Sequence, residues 1–159
     1  MNRLFERHDA YLSNVPMAYV RDFMNIIHWD ARLIVIKGSK GVGKTTLMLQ
    51  YIKQHFDADD RHVLYCSADT NYFSTHTLVD VADSFAKIGG RYMFIDEVHK
   101  YKGWSSEIKE IYDLHKDMHL VLSGSSMAFA HSPDHTSGLW KVIWQILSWS
   151  LMLWLNVSE

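Results

Sequence analysis

Leu33-Ile34-Val35-Ile36-Lys37-Gly38-Ser39-Lys40-Gly41-Val42-Gly43-Lys44-Thr45-Thr46-Leu47 is the stretch that decides the fold. Its apolar, mostly β-branched opening predicts a short buried strand. Gly38, Gly43, Lys44 and Thr45 then meet the pattern G-x-x-x-x-G-K-[ST], a Walker A loop, with Gly41 as a further glycine inside it. Each residue type answers a physical need. Glycines let the backbone curl at positive φ and bring successive N–H groups close to phosphate oxygens. Lys44 supplies a point charge between the β- and γ-phosphates, and the Thr45 hydroxyl can complete a Mg²⁺ shell. Thr46 to His55 can be helical, so the loop opens a helix N-terminus, which favours anions. Gly38, Ser39, Lys40, Gly41, Val42, Gly43, Lys44, Thr45 and Thr46 are therefore the candidate nucleotide cradle, and a nucleoside triphosphate is the expected ligand.

The chain of 159 residues has room for one α/β domain. Apolar residues make up 48% and charged residues 21%, which is a globular balance rather than a disordered one. A net charge of −2 gives no polyelectrolyte reason to expect nucleic-acid binding. Cys66 is the only cysteine, which excludes an internal disulfide and a multi-cysteine zinc site. The charged start, Met1 to Asp9, lacks the apolar core of a signal peptide, so a cytoplasmic location is expected. Histidine pairs at four-residue spacing, His115 with His119 and His131 with His135, share no helical face. They are read as solvated rather than as metal ligands.

Ahead of the first strand, Leu4, Phe5, His8, Tyr11 and Leu12 recur at helical spacing. After Pro16, Tyr19, Val20, Phe23, Met24 and Ile27 do the same, so two helices are expected there. Beyond it, His62 to Cys66, Tyr92 to Ile95 and His119 to Leu122 read as further strands. Leu78, Val81, Ala82, Phe85 and Ile88 mark one helix, ended by Gly89-Gly90, and Trp104, Ile108, Ile111 and Tyr112 mark another. Strands separated by helices predict a mainly parallel sheet, with phosphate chemistry beyond the carboxyl ends of the strands.

The third strand runs into Asp96-Glu97. An apolar strand ending in Asp is the Walker B arrangement, which sets the carboxylate beside the Mg²⁺ held by Thr45. Glu97 adds a carboxylate able to orient and deprotonate an attacking water. One strand–helix unit separates this pair from the Walker A loop, which lets another strand lie between the Walker A and Walker B strands, as in the ASCE branch of P-loop ATPases. Ser123 and Ser125, at the end of the fourth strand, stand where that branch places a polar residue near the γ-phosphate; a plain turn explains them equally well. The candidate catalytic residues are Lys44, Glu97 and Ser123, and the candidate metal ligands are Thr45 and Asp96.

Ile36 to Leu47, then Phe94-Ile95-Asp96-Glu97-Val98-His99-Lys100-Tyr101, then Gly103-Trp104 and Leu122-Ser123-Gly124-Ser125-Ser126 together resemble the prokaryotic AAA-like ATPases whose ATPase domain precedes a C-terminal domain of unknown function. The resemblance spans roughly residues 15 to 129. It implies an α/β P-loop NTPase fold of the AAA/ASCE type, a mainly parallel sheet flanked by helices, incomplete at its C-terminus. It also implies ATP and Mg²⁺ as cofactors, with Lys44, Thr45, Asp96 and Glu97 in the usual roles. It names no substrate.

After Phe129 the pattern is lost. No arginine follows Arg91, although arginines that stabilise a transferring phosphoryl contribute roughly 10³ to 10⁵ in rate in related systems. The chain divides into an N-terminal helical segment, 1–30, a P-loop ATPase core, 31–129, and an atypical apolar tail, 130–159, carrying Trp140, Trp144, Trp149 and Trp154. Three readings of the tail stay open. It is a core element closing the sheet, with Lys141 to Trp144 as a fifth strand; or a membrane-associated segment, though it is short and holds Lys141, Gln145, Ser148 and Ser150; or a non-native end. The last accounts at once for the lost pattern, the missing arginines and the abrupt end. The function expected is a Mg²⁺-dependent AAA-type ATPase turning ATP into ADP and phosphate. The alternative is a truncated module that binds ATP without efficient hydrolysis. A homo-oligomer or a partner protein is left open, nucleic acid finds no clear signal, and a membrane is not expected.

Overall fold

The computed structural model describes residues 1–125 and the backbone of residues 147–148. The elements run α1 (Asn2–Asn14), β1 (Leu33–Lys37), α2 (Lys44–His55), β2 (Val63–Ser67), α3 (Leu78–Lys87), β3 (Tyr92–Asp96), α4 (Trp104–Leu114), β4 (His119–Gly124) and β5 (Leu147–Ser148). The strands form one parallel sheet in the order β2-β3-β4-β1-β5. β4 therefore lies between β1 and β3, an insertion that the spacing of the two motifs allows. Leu33 faces Leu120, and Tyr92 faces both Val63 and His119.

Continuous apolar strands follow from burial on both faces of such a sheet. On one face Leu33, Val35, Leu64, Met93, Ile95, Leu120 and Leu122 pack against α3 and α4. On the other, Ile34, Ile36, Val63, Tyr65, Phe94 and Val121 pack under α2, through Leu47, Met48 and Ile52. Alternate residues of one strand thus serve two separate cores. α1 lies along β2, the edge strand, and His8 Nδ1 accepts a hydrogen bond from the Tyr65 N–H at 2.9 Å. That bond satisfies an edge donor that would otherwise invite another chain. Burial pushes the His8 imidazole down to about 4, so near neutral pH it stays uncharged and remains an acceptor.

The helix ends follow their residues. Thr77 Oγ1 accepts from Asp80 N at 3.0 Å, an N-cap on α3. At the other end Gly89 turns at φ 91, and Gly90 packs so closely that a Cβ there would lie 2.4 Å from the buried Phe85 ring.

One expectation is corrected. The pattern from Tyr19 to Ile27 forms no α-helix: only a 3₁₀ turn, Asp22–Asn25, is present. Gln50 of α2 donates through Nε2 to the carbonyls of Pro16 at 2.7 Å and Tyr19 at 2.8 Å, which gives them a partner outside any helical ladder. Phe23, Met24 and Ile27 are nevertheless buried, so the apolar spacing marked a packed segment rather than a helix. Beside β1, Leu147 and Ser148 pair with Ile36 and Lys37. Lys141 to Trp144, His131, His135 and the tail tryptophans lie outside the described residues.

Candidate functional site

Every candidate side chain of the sequence reading except those of the loop itself hangs from the carboxyl end of a strand. β1 ends at Lys37, and Gly38 N donates to Gly124 O of β4 at 3.3 Å, which ties the loop's first residue to the sheet. Gly41 and Gly43 stand at φ 86 and 87, a left-handed conformation that strongly favours glycine. A Cβ on Gly41 would meet nothing within 4 Å, so the demand there is conformational, and the space beside it is open. Ser39, Lys40 and Gly41 are exposed, Val42, Gly43, Thr45 and Thr46 half-buried, Gly38 and Lys44 buried. The Lys44 ammonium donates to the carbonyls of Gly38 at 3.1 Å and Ser39 at 3.0 Å, held inside the turn it belongs to. α2 begins at Lys44, so its unpaired N–H groups face the loop.

Asp96, 3% exposed, is the hub of the polar cluster. Its Oδ2 accepts from Thr45 Oγ1 at 2.6 Å and from the Tyr65 hydroxyl at 2.9 Å. Its Oδ1 accepts from Ser123 Oγ and, at 3.0 Å, from the Glu97 N–H. The Glu97 N–H also reaches Ser123 Oγ at 3.2 Å. Ser123, completely buried, is thus part of the cluster, whereas Ser125 is not: its N–H points to His99 Nδ1 at 3.4 Å.

Glu97 carries the one positive φ of a non-glycine residue among the described residues, φ 50 and ψ 37. A left-handed glutamate is uncommon and is held here by the hydrogen bonds of its N–H on one side and a 3₁₀ turn, Val98–Lys100, on the other. Its Oε2 stands 3.5 Å from His99 Nε2. With His99 Nδ1 accepting from Ser125, the ring's proton belongs on Nε2, facing the Glu97 carboxylate.

Three residues in or beside this cluster had no assigned role in the sequence reading. Tyr65 shares the α2 face of the sheet with Ile34 and Ile36, and the alternation along β2 was the signal available for it. Burial, followed by the Asp96 charge and the bond to it, holds its phenol proton far above the ordinary range, so Tyr65 remains a donor. His99 sits one residue past Val98, where only the turn geometry turns its ring to Glu97. Arg21 stands beside the loop: a Cβ on Gly43 would lie 3.8 Å from its guanidinium Nη2. Cys66 is buried on the opposite face, and burial pushes its thiol up to about 12, so it is inert as a nucleophile.

The oxygen donors of Thr45 and Asp96 are of the kind a hard divalent cation takes. The glycine loop and the α2 N-terminus lie beside them, and their backbone N–H groups are of the kind that could hold an anion. Among the described residues, no group of three or more His, Cys, Asp or Glu side chains is arranged to hold a metal. No helix among them is long and apolar enough to cross a membrane.

Residues 30–144 match the family described as AAA domain. The match begins later than the resemblance read from the sequence and runs past Phe129, where that reading placed its end. Among solved structures, the chain is similar to PCH-2 of C. elegans, with 15% identity, a TM-score of 0.51, and coverage of 92% of this chain and 40% of that one. It is also similar to Trip13 of Rhizobiales, with 15% identity, a TM-score of 0.47, and coverage of 92% and 59%. The chain therefore spans less than two thirds of the length of either structure. No curated protein matches it. Fold and family agree, and the chain belongs to the AAA domain family of nucleotide-binding ATPase modules.

Proposed function

We propose that this chain binds ATP with Mg²⁺ through residues 38–46 and hydrolyses it to ADP and phosphate. The observation that carries the reading is the 2.6 Å hydrogen bond between Thr45 Oγ1 and Asp96 Oδ2, which joins the glycine loop to a strand-end carboxylate across 51 positions of sequence. Thr45 and Asp96 would hold the cation, the latter through water. Bound there, Mg²⁺ would offset charge on the transferred phosphoryl.

The chain's own residues divide the remaining work. The N–H groups of the loop and of the first turn of α2 bind phosphate oxygens. Lys44 exchanges the carbonyls of Gly38 and Ser39 for phosphate. Glu97, its backbone fixed and its Oε2 facing His99, orients a water and takes its proton. Ser123 holds Asp96 and the Glu97 N–H in register.

A second reading, ATP binding without efficient turnover, is favoured by the lack of any arginine after Arg91 in the sequence. Arg21, beside Gly43, is a cation of the first half placed near the loop, and a second copy or partner protein is the other source of one. Calorimetric titration with ATP in Mg²⁺ and in EDTA, together with steady-state phosphate release, tests both readings. Saturable binding with release supports the first, and saturable binding without release the second. Absence of binding in either buffer removes both.

A further inference from the structure

Tyr65 belongs to the apolar cluster that holds Leu47 and Phe94, a place that phenylalanine would fill as well. Its hydroxyl is therefore the feature to explain. A hydroxyl in such surroundings is costly unless it is hydrogen-bonded. This one, in a side chain 1% exposed, donates to Asp96 Oδ2 at 2.9 Å. The ring has little freedom to leave. Tyr11 of α1 packs against it edge-on at a centroid distance of 5.0 Å, and its backbone N–H is tied to His8 at 2.9 Å.

The carboxylate it meets is held at both oxygens, by Thr45 and Tyr65 on one and by Ser123 and the Glu97 N–H on the other. Three of these donors come from residues already assigned to the nucleotide site. Tyr65 comes from β2, which contributes nothing else to that cluster. Tyr65 is the second donor on Oδ2, the oxygen that Thr45 also meets, and so adds to the hold on the metal-facing side of the carboxylate.

We propose that Tyr65 is a positioning residue for the metal half of the site. It holds Asp96 so that the carboxylate and the Thr45 hydroxyl face a divalent cation together, and it thereby sets how strongly Mg²⁺ strengthens nucleotide binding. The inference rests on the ATP–Mg²⁺ reading above and adds to it a residue that touches neither ligand. Loss of an outer hydrogen bond that orients a metal ligand commonly weakens metal affinity by about 10- to 100-fold.

The test is the ratio of two dissociation constants for ATP, one in excess EDTA and one in excess Mg²⁺, measured by calorimetry on the full chain. It is read for the wild type, Tyr65→Phe, Asp96→Asn and the double variant, with a melting temperature for each. Tyr65→Phe is expected to reduce the ratio about tenfold while leaving the EDTA constant unchanged. In the Asp96→Asn background it is expected to change nothing further. A Tyr65→Phe ratio equal to that of a Mg²⁺-responsive wild type overturns the inference and leaves the nucleotide reading standing. Equal weakening in both buffers also overturns it, since a packing role alone would produce that. A wild type that binds no ATP, or binds it equally in both buffers, defeats the ATP–Mg²⁺ reading and this inference with it.

Discussion

Glu107 of α4 accepts a hydrogen bond from the backbone N–H of Leu78 at 2.8 Å, so one helix caps the first turn of another. The same carboxylate oxygen reaches Val79 N at 3.3 Å, and the other accepts from the Tyr101 hydroxyl at 2.7 Å. These N–H groups have no partner inside α3, and a negative charge is favoured at that end of a helix. Glu107→Ala is expected to lower stability by about 1 to 2 kcal/mol, and Glu107→Gln by less because an acceptor remains. Urea denaturation of the three proteins checks the order; an Ala variant as stable as the Gln variant would remove the capping role.

Stability should also fall on acidification through His8. Its folded-state value of about 4 lies below the ordinary 6.5, with burial the main cause and the Arg61 charge adding to it against Asp9. Between those values the unfolded chain binds a proton that the folded chain refuses, so stability decreases as pH falls from 6.5 towards 4. The loss attributable to this group is on the order of 3 kcal/mol, complete near the lower value. His8→Asn keeps an acceptor for Tyr65 N without titrating. It should flatten the slope of stability against pH in that window, and an unchanged slope would assign the effect elsewhere.

Lys44 and Glu97 should separate binding from turnover. In the roles proposed above, Lys44 meets phosphate already in the bound ground state, whereas Glu97 acts on water only as bonds change. Lys44→Ala is expected to weaken ATP affinity at least tenfold, about 1.4 kcal/mol. Glu97→Gln should leave affinity nearly intact and suppress phosphate release. Calorimetry with Mg²⁺ and ATP measures the first effect, and equal losses of affinity in both variants would contradict the assigned roles.

Leu147 and Ser148 pair with Ile36 and Lys37 of β1, and an element closing the sheet is one of the open readings of the tail. Deleting residues 130–159 uncovers the β1 edge, an apolar strand with unpaired backbone groups. The shortened chain is expected to melt below the full one and to aggregate more readily. Identical melting curves for the two chains would place the tail outside the fold.

The alternation of apolar runs and helical stripes was legible because a parallel sheet buried on both faces leaves strands that are apolar throughout. Asp96, Glu97 and Ser123 were legible for a related reason: chain polarity returns abruptly at the carboxyl end of each strand, where ligands sit. The segment from Val15 to Asn25 was not, since its backbone carbonyls find their donor in Gln50, a residue a full strand and loop away. Tyr65 stayed hidden for a similar cause. An aromatic residue inside an apolar strand reads as core, and only the position of β2 next to β3 turns its hydroxyl to Asp96.

The order of strands also governs when the glycine loop can exist. β1 is the first strand to leave the ribosome, yet its inner neighbour is β4, the last of the inner strands to be made. Until Leu120 to Gly124 have emerged, Leu33 to Lys37 lack that partner, and Gly38 lacks the Gly124 carbonyl that anchors it. Such long-range parallel closure is slow relative to helix formation. A nascent chain halted before β4 would therefore carry the whole glycine-rich sequence and yet hold no phosphate, so nucleotide capture becomes a report that synthesis has passed the fourth strand.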